Sequence, residues 1–591
     1  MAILRDAPLP QVFRHSAQEH PEALCWRVRR DEEWQTWTYA QADAEVQRLA
    51  SALVADGIQP GDRVGIFANN RPEWTLADLA ILSIGAIVVT VFATSDVDQA
   101  EHILRDSGAT HCIVAGRGEA FVLAQAHLPM MRHILTMDRV PGYDSLVELM
   151  DRAPDASDEV ARRSDALTLD DVATIIYTSG TTGAPRGAML THGGYAHQLR
   201  TIDDLWHLGP GESSLSFLPL AHALERVWTF YVMASGMANT YCEDPRTVAE
   251  LMPLARPTTI ISVPKLYEKV YAGAHEKASG SPLNRAIFDW ALRVGGRNQR
   301  HHRKGSTPPW WWRAQLPLAD KLVLRAIREA VGGRKTLLIS GGAPLRIEVE
   351  EFFSAAGMLL GQGYGLTETG PMTTAFAKDS FKLGTVGKLV AEAEIRLGRD
   401  GEILLKGPHI MKGYWNNPEA TAAMFDEEGW FRTGDVGYVD TQGYVVITDR
   451  LKDIIVTLGG KNVAPQPIEG LILSDPLFEY AVVLGDNRPY LTALLQPSIP
   501  ALEELGQAMQ LSWETVGELL KHPRILSEVT ERLSRLQSRV PGHEKVRRVR
   551  LLQGLTMEDG TLTPTLKVKR KVVESRFAEL IEQMYAGTPA R

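Results

Sequence analysis

The N-terminal part of the sequence repeats one pattern, in which an amphipathic helical segment precedes a short run of β-branched and apolar residues. Residues Ala40–Asp56 place apolar side chains three and four positions apart, and the apolar run Val64–Ala68 follows a Pro-Gly turn. The same order recurs in Trp74–Ile84 followed by Ala86–Phe92. Helices that alternate with short strands in this way predict a mixed α/β fold.

Charge and cysteine content exclude several classes of protein. The chain of 591 residues carries 63 Lys and Arg against 72 Asp and Glu, a net charge of −9. A nucleic-acid binder needs clustered cationic charge to neutralise phosphates, so we expect no nucleic-acid partner. The three cysteines form no CxxC pair, which argues against a disulfide framework or a cysteine zinc site. Since the N-terminus also lacks the apolar core of a secretory signal, we expect a cytoplasmic protein.

The segment Gly280–Pro317 is both basic and rich in tryptophan. Basic side chains beside exposed aromatic rings are typical of a peripheral membrane contact, which the sequence predicts for residues 293–313 at the inner membrane face. A surface segment whose tryptophans pack against the body of the protein has the same composition. Both interpretations, membrane contact and packing, therefore stay open. The residues concerned are Arg293, Arg297, Arg300, His301, His302, Arg303, Lys304, Trp310, Trp311, Trp312 and Arg313.

The segment Thr174–His192 carries the most informative chemistry. A β-rich run leads into a loop of hydroxyl and glycine residues, and the cation Arg186 follows. Glycines let backbone amides approach an anion and hydroxyls add donors, so the loop suits a polyphosphate, although a linker has a similar composition. The Walker A spacing does not fit it. The loop residues are Thr178, Ser179, Gly180, Thr181, Thr182 and Gly183.

This loop, TSGTTGAPRG, resembles the phosphate-binding signature of the adenylate-forming superfamily, which contains acyl- and aryl-CoA synthetases, adenylation domains and luciferases. The family's usual lysine is Arg186 here, which keeps the charge but changes geometry and hydration. Further motifs follow in the family's order from Thr38 to about Arg570, so the resemblance covers nearly the whole chain. The sequence is most similar to bacterial long-chain fatty acid–CoA ligases.

The resemblance implies a nucleotide and acyl site from three further segments. Leu218–His222 resembles the segment that places its histidine near the acyl carboxylate, and Ser340–Leu345 resembles the loop that lines the adenine and acyl pocket. Gly363–Thr369 is close to the superfamily's central motif, with a tyrosine near adenine and a threonine on the α-phosphate. The implied ATP-binding residues of these segments are Gly341, Gly342, Ala343, Gln362, Gly363, Tyr364, Gly365 and Thr367.

The same central motif implies that Glu368 binds Mg²⁺, with Thr178 as a second ligand. Mg²⁺ prefers oxygen ligands and is typically held by one or two carboxylates together with substrate phosphates. One glutamate beside a hydroxyl-rich loop therefore suffices for a magnesium site. A solvated loop carboxylate is the alternative interpretation of Glu368.

The C-terminal part continues the family's order. By resemblance, Asp435 accepts hydrogen bonds from the two ribose hydroxyls, as suits a bidentate carboxylate. Arg450 would reach the ribose and phosphate, and Lys452 would be the hinge between two domains. A following turn resembles the one that meets the pantetheine arm of CoA and consists of Gly459, Gly460 and Lys461.

The segment Leu562–Arg570 resembles the long-chain version of the segment that bears the family's catalytic lysine. Alignment on the following arginine points to Lys567, and Lys569 stays open as the alternative because the two alternate in a strand-like run. The catalytic residues that the resemblance implies are Lys567, Glu368, His222 and Arg186.

The resemblance implies a large N-terminal domain, residues 1–449, of stacked α/β subdomains with a β-barrel-like part. Residues 450–591 would form a small, mobile α+β domain. The implied reaction uses ATP and Mg²⁺ to activate a long-chain fatty acid as an acyl-adenylate and then transfers the acyl group to CoA, with rotation about Lys452 between the steps. The sequence leaves the acyl length open, and the oligomeric state stays open between monomer and homodimer.

Related functions compete with this one. A fatty acyl-AMP ligase typically carries an insertion after the junction motif, whereas here Arg450 runs directly into the next strand and glycine turn. Aryl- and medium-chain acyl-CoA ligases share the nucleotide motifs. A non-catalytic paralogue would be expected to lack Glu368, Asp435 or Lys567, and an assembly-line adenylation domain would sit beside a carrier domain.

Overall fold

The structure is a computed structural model that describes residues 6–178, 185–303, 306–333, 335–459, 461–556, 559–563 and 568–586. The chain divides into two compact units. The first comprises Met1–Ile395, Leu404–Arg432 and Asp440–Val445, and the second comprises Arg396–Ile403, Thr433–Val439 and Val446–Arg591. The domain boundary predicted at residue 450 stays a prediction.

The first part of the chain alternates helices and strands, as its sequence predicts. Its elements are α1 (Leu9–Glu19), β1 (Leu24–Arg30), β2 (Glu33–Thr38), α2 (Tyr39–Ala55), β3 (Arg63–Ala68), α3 (Pro72–Ser83), β4 (Ile87–Phe92), α4 (Val97–Ser107), β5 (His111–Val114), α5 (Arg117–Gln125), β6 (His133–Thr136), β7 (Asp144–Ser145), α6 (Leu146–Arg152) and α7 (Ser157–Asp165).

The next stretch continues the alternation with longer helices. Its elements are β8 (Val172–Thr178), β9 (Arg186–Thr191), α8 (His192–Trp206), β10 (Ser213–Ser216), α9 (Ala223–Ala234), β11 (Ala238–Tyr241), α10 (Val248–Ala255), β12 (Thr259–Ser262), α11 (Pro264–Ser279), α12 (Pro282–Arg303), α13 (Trp310–Arg313), α14 (Leu316–Ala319) and α15 (Arg325–Ala330). A π-helical turn, Asp320–Leu324, connects α14 to α15.

Short strands dominate the part of the chain up to residue 450. The elements are β13 (Leu337–Ser340), α16 (Ile347–Ala355), β14 (Leu360–Tyr364), β15 (Thr374–Ala375), β16 (Lys388–Leu389), β17 (Glu394–Leu397), β18 (Glu402–Lys406), β19 (Gly413–Tyr414), α17 (Pro418–Ala423), β20 (Phe431–Val439) and β21 (Val445–Arg450).

The remaining elements belong to the second unit. They are β22 (Ile455–Val456), β23 (Asn462–Val463), α18 (Pro465–Ile472), β24 (Phe478–Leu484), β25 (Leu491–Pro497), α19 (Ile499–Ala508), α20 (Val516–Lys521), α21 (Pro523–Leu536), β26 (Val546–Leu551), α22 (Arg570–Arg576) and α23 (Ala578–Tyr585).

Local sequence explains where α2 begins. Thr38 Oγ1 accepts a hydrogen bond from Gln41 N, and the Gln41 side chain accepts one from Thr38 N, so the two residues form a capping box. The helix then buries Leu49 and Leu53, which lie four residues apart on the face turned to the core.

Two large sheets organise the first unit. One has the strand order β16-β15-β14-β13-β12-β10-β11-β1-β2, and the other has the order β19-β9-β8-β4-β3-β5-β6-β7. Strands β3, β4, β5 and β8 pair in parallel and are buried on both faces, because helices cover the sheet. This architecture confirms the predicted mixed α/β fold.

The second unit has its own cores. A three-stranded sheet of order β24-β25-β26 packs against α18, α20 and α21 around residues such as Leu495 and Val529. A four-stranded sheet of order β17-β18-β20-β21 also has most of its residues in this unit, and the β-barrel-like part predicted for residues 1–449 stays a prediction.

Two sequence expectations need correction in detail. The sequence predicts one C-terminal helix, Val572–Tyr585, whereas the structure has two, α22 and α23, with Phe577 between them. The sequence also predicts an apolar helix, Val227–Met237, whereas α9 begins at Ala223, because His222 caps it, and ends at Ala234. Among the described helices, none combines the length and the apolar content that crossing a bilayer requires.

Candidate active site

The segments predicted to form the site follow parallel strands of one sheet. Strands β10, β12, β13 and β14 pair in parallel. The carboxyl ends of parallel strands lie at the same edge of a sheet, where ligands of α/β proteins bind. Residues 218–222 follow β10, residues 341–343 follow β13 and residues 365–368 follow β14, so three predicted segments meet at this edge.

The glycines of these segments allow close approach. Gly341 lies where an added Cβ would come within 3.3 Å of the Leu224 side chain in α9, and Gly342 has a φ of +80° that favours glycine. At Gly365 an added Cβ would lie 1.9 Å from the carbonyl oxygen of Pro371, which no side chain tolerates. The backbone at Gly341 therefore packs closely on α9, and the backbone at Gly365 packs closely on the turn at Pro371.

Strands β8 and β9 carry the two ends of the predicted phosphate loop. They form an antiparallel hairpin in which Thr178 and Arg186 are register partners. Thr178 and Arg186, which flank the loop, therefore lie opposite each other on the two strands of the hairpin. An added Cβ at Gly187 would lie 2.5 Å from Ile175 Cγ2, so the glycine next to Arg186 keeps the two strands close.

Glu368 lies in a 3₁₀ turn, Thr367–Thr369, after β14, and two hydroxyls converge on its carboxylate. Thr178 Oγ1 donates to Glu368 Oε1 at 3.2 Å, and the Tyr414 hydroxyl donates to the same oxygen at 2.8 Å. The structure thus brings together Thr178 and Glu368, 190 positions apart in the sequence.

Tyr414 is the site residue that sequence reasoning missed. It belongs to β19, which pairs with β9 so that Tyr414 stands opposite Ala188. The Arg186 guanidinium lies 5.7 Å from the centroid of its ring. Burial and, after it, the Glu368 carboxylate raise the pKa of Tyr414 well above its ordinary value, so the phenol stays a donor. The sequence signal was the Gly-Tyr pair before Trp415, which nothing local connects to Glu368.

The donor set around Glu368 fits Mg²⁺. It offers one carboxylate and the hydroxyl of Thr178, which are hard oxygen ligands of the kind that hold Mg²⁺ together with substrate phosphates. Within the part of the chain that the structure describes, no group of three or more His, Cys, Asp or Glu side chains is placed to hold a metal ion.

His222 occupies the N-cap of α9. Its Nδ1 accepts a hydrogen bond from Leu224 N at 3.2 Å, so in the neutral ring the proton lies on Nε2. Three residues on, Glu225 is fully buried, and this burial raises the pKa of its carboxyl group to about 8. The N-terminal end of α9 therefore carries the imidazole that caps the helix and a buried carboxyl group whose pKa is raised.

Gln362 supports the loop that follows β13. Its side-chain amide accepts from Leu345 N at 2.9 Å and donates to Glu350 Oε1 at 3.1 Å. The first contact fixes the end of the loop Gly341–Leu345 relative to β14, and the second joins β14 to α16. The predicted contact of Gln362 with the nucleotide stays a prediction.

The second unit brings together Asp435 and Arg450. Arg450 Nε lies 3.2 Å from Asp435 Oδ1, with the aspartate buried and the arginine 40% exposed. Thr433 Oγ1 accepts from Asp435 N at 3.0 Å and fixes its backbone. The two predicted ribose-binding residues are thus neighbours, with a carboxylate and a guanidinium side by side.

The predicted hinge and CoA turn lie close in sequence to this pair. Lys452 is exposed in a turn after β21. Lys461 is exposed at the turn between β22 and β23, where its carbonyl oxygen accepts from Thr457 N at 3.0 Å, and Gly459 belongs to the same turn. The structure gives the positions of these three residues, and their predicted roles stay predictions.

Several predicted site residues lie outside the described part of the chain. They are Ser179, Gly180, Thr181, Thr182 and Gly183 of the phosphate loop, Gly460 of the CoA turn, and Lys567. The alternative lysine, Lys569, is described and precedes α22, with its backbone nitrogen donating to Thr561 O at 2.8 Å.

Comparison with family models gives two matches. Residues 13–415 match the model described as AMP-binding enzyme. Residues 452–589 match the model described as AMP-binding enzyme C-terminal domain. Together the two matches span most of both units, and the first covers the segments that meet at Glu368.

Individual relatives match over nearly the full length. A long-chain-fatty-acid–CoA ligase, FadD15 of Mycobacterium bovis, is 36% identical over 582 residues, which cover 97% of this chain and 96% of that protein. A long-chain-fatty-acid–[acyl-carrier-protein] ligase, AEE15 of Arabidopsis thaliana, is 29% identical over 98% of this chain and 86% of that protein.

A solved structure supports the fold. The adenylation domain of a carboxylate reductase from Mycobacterium chelonae has a TM-score of 0.73 and 23% sequence identity, over 98% of this chain and 91% of that one. At this identity the likeness concerns the fold alone.

Proposed function

The chain belongs to the AMP-binding enzyme family, and on that premise we propose that it is an ATP-dependent long-chain fatty acid–CoA ligase. The observation that carries the proposal is the convergence of Thr178 and Tyr414 on the Glu368 carboxylate, beside the hairpin that holds Arg186. The hydroxyls and the cation suit the polyphosphate of a nucleotide, and the carboxylate suits the Mg²⁺ that binds with it. The full-length similarity to FadD15 supports the long-chain acid.

The reaction has two steps. A carboxylate oxygen of the fatty acid attacks the α-phosphorus of ATP, a new P–O bond forms, and pyrophosphate leaves with its oxygen, which gives acyl-AMP. The CoA sulfur, after losing its proton, then attacks the acyl carbon, the thioester forms, and AMP leaves. Negative charge accumulates at the α-phosphorus in the first step, and cationic groups placed there lower the barrier.

We assign the first step to residues of the first unit. Arg186 would stabilise the charge on the phosphates, and Thr367 would contact the α-phosphate. Glu368 and Thr178 would hold Mg²⁺, which when bound supplies positive charge to the phosphate oxygens. His222, whose Nδ1 accepts the cap hydrogen bond from Leu224 N, would donate from Nε2–H to the acyl carboxylate.

The remaining roles are proposed for the C-terminal part of the chain. Asp435 would accept hydrogen bonds from the ribose hydroxyls and Arg450 would contact the ribose and phosphate. Lys567 would stabilise the negative charge that develops at the α-phosphorus in the adenylation step. Rotation about Lys452 would separate the two steps. Gly459, Gly460 and Lys461 would meet the pantetheine arm of CoA.

The test is one assay with purified protein, ATP, Mg²⁺, CoA and a chain-length series of acids. We expect pyrophosphate release that depends on a long-chain acid, followed by loss of free CoA thiol. Acyl-AMP that accumulates while the CoA thiol is untouched would contradict the CoA ligase and support an acyl-AMP ligase. A preference for aryl or medium-chain acids would contradict the long-chain assignment alone.

Transfer to a carrier protein is the second candidate function. It is favoured by the similarity to AEE15, whose name gives an acyl-carrier-protein as acceptor. Adding holo-acyl carrier protein in place of CoA to the same assay separates the two acceptors, because only the true acceptor accelerates AMP release.

We further propose a cytoplasmic location with peripheral contact at the inner membrane face. The basic and aromatic side chains of residues 293–313 support that contact. The three cysteines, Cys25, Cys112 and Cys242, are free and buried, as in proteins of reducing compartments. The oligomeric state, monomer or homodimer, is left to a measurement of molecular mass in solution.

A further inference from the structure

The helical run from Trp310 to Ala330 has two apolar sides. It comprises α13, α14, the π-helical turn and α15. One side packs on the core of the first unit, where Ala319, Leu324 and Ile327 are buried. The other side carries four exposed residues, which we name the Trp–Leu stripe: Trp310 (79% exposed), Trp311 (50%), Leu318 (54%) and Leu322 (52%).

The four stripe residues lie close together in the sequence. Trp310 and Trp311 belong to α13, Leu318 to α14 and Leu322 to the π-helical turn, so all four fall within 13 consecutive residues of one helical run. Trp310 is the most exposed large apolar side chain in the part of the chain that the structure describes. Isolated exposed apolar residues are ordinary, but four exposed large apolar side chains in so short a run, two of them tryptophans, mark an interaction surface.

The tryptophans do not all pack back on the body of the protein. Trp312 does, since its Nε1 donates to Val294 O at 3.4 Å and the Arg297 guanidinium lies 4.4 Å from its ring centroid. Trp311 meets Trp312 edge to face at 5.4 Å and stays half exposed. The two sequence interpretations of this segment therefore each hold for part of it.

Exposed cations flank the stripe. Helix α12 packs beside the run, where Trp290 Nε1 donates to Gln315 Oε1 at 3.0 Å. We name six of the exposed cations of both helical segments the cationic border: Arg293, Arg297, Arg300, Arg313, Lys321 and Arg325. Within the described residues, none of these six is in an ion pair with an acid, whereas Asp320 is paired with Arg328 at 2.7 Å.

The local charge is opposite to that of the whole chain. Residues 282–325 hold nine Lys and Arg against two Asp, on a chain of net charge −9. A second copy of this chain docked on the stripe would place its own cationic border against the first, and like charges oppose such a contact. An anionic surface meets the border without that cost.

We infer that the Trp–Leu stripe and the cationic border form one docking surface for a lipid bilayer with anionic headgroups. Tryptophan rings favour the interface between acyl chains and headgroups, and each Lys or Arg beside them is attracted by anionic lipid. The inference rests on the peripheral contact proposed above and specifies it. The surface extends beyond the predicted residues 293–313, because Leu318 and Leu322 belong to it.

The test uses the full chain and vesicles of phosphatidylcholine, alone or mixed with phosphatidylglycerol. We expect co-sedimentation with the mixed vesicles, weaker by about tenfold or more without phosphatidylglycerol, and weaker in high salt because salt screens exposed charges. Trp310→Ser with Trp311→Ser should reduce binding by about tenfold. Phe121→Ser with Leu254→Ser removes two exposed apolar side chains elsewhere in the same unit and should leave it unchanged.

A second pair of variants tests the charge. Arg293→Gln, Arg297→Gln and Arg300→Gln together should abolish the preference for phosphatidylglycerol. The matched control, Lys521→Gln, Arg524→Gln and Arg547→Gln, changes net charge equally at exposed positions of the second unit and should keep the preference. All substituted side chains are exposed, and an unchanged melting temperature verifies the fold.

Three outcomes would overturn the inference. They are equal binding to both kinds of vesicle, stripe variants that bind like their controls, and a molecular mass in solution that falls when the stripe is removed, which would identify a second copy as the occupant. Pyrophosphate release with a dispersed acid, measured without vesicles, tests the enzyme function separately. The stripe shares no residue with the candidate active site.

Discussion

The hydroxyl of Tyr414 donates a 2.8 Å hydrogen bond to Oε1 of Glu368, the residue proposed to bind Mg²⁺. The same oxygen accepts from Thr178. The contact joins β19 to the turn after β14, two elements that belong to different sheets of the first unit. The position of the proposed metal ligand is therefore set by a tyrosine from outside the central motif.

Tyr414→Phe removes this hydrogen bond and keeps the ring. A hydrogen bond to a charged group contributes about 1.5–3 kcal/mol, so we expect the Mg²⁺ concentration for half-maximal pyrophosphate release to rise about tenfold. A titration of pyrophosphate release with Mg²⁺ measures the change. Tyr39→Phe is the control, because its hydroxyl donates to Met237 O at 2.8 Å away from the site. An equal change in both variants would mean that Tyr414 acts only on stability.

Lys567→Ala should separate the two half-reactions. If Lys567 stabilises the charge that develops in adenylation, its loss should slow pyrophosphate release by about 100-fold or more. Thioester formation from supplied acyl-AMP should continue at nearly the original rate. Lys569→Ala is the comparison, and a larger loss of adenylation in that variant would transfer the assignment to Lys569.

Acid should destabilise the first unit through His409. Its ring stacks on His197 with 5.5 Å between centroids, and Nε2 hydrogen bonds with Thr373 Oγ1 at 3.1 Å. Burial and, after it, the charge of His197 lower the pKa of His409 to about 4. The unfolded chain, with an ordinary value of about 6.5, takes up the proton first, so the free energy of unfolding falls as pH drops from about 6.5 to 4.

Urea unfolding of the wild type and of His409→Gln across this range measures that loss. The variant should show a shallower decline with falling pH, because its side chain does not titrate and keeps hydrogen-bonding capacity toward Thr373. The exposed His302→Gln should decline like the wild type. The idea fails if His409→Gln and His302→Gln decline alike.

The buried ion pair of Asp78 and Arg226 should lose more stability on single substitution than on double substitution. Arg226 Nε lies 2.8 Å from Asp78 Oδ2, and both side chains are almost fully buried. Asp78→Asn or Arg226→Met leaves one buried charge without its partner, and we expect a loss of about 3–5 kcal/mol in the free energy of unfolding. The double variant Asp78→Leu with Arg226→Met should lose less free energy of unfolding than either single variant. Chemical denaturation measures these differences. Additive losses would contradict a desolvated ion pair.

The fold could be predicted in large part because its helices and strands differ in the period of their apolar residues. Helix α2 and strands β3 and β4 begin and end within about two residues of their predicted bounds, since caps and turn residues mark them locally. The break of the C-terminal helix at Phe577 could not be predicted, because no proline or glycine marks it.

The chain's own motifs determined the family, since the order of hydroxyl, glycine, acidic and basic residues fixes which groups can bind a nucleotide. The motifs predict Thr178, Glu368, Asp435 and Arg450 as nucleotide-binding residues. Only the tertiary structure decided that Tyr414 holds Glu368, that Gln362 supports a loop, and that Trp312 packs inward while Trp310 faces out. Those facts depend on which strands pair and which side of a helix meets a core. Both are properties of residues far apart in the sequence, and no local pattern contains them.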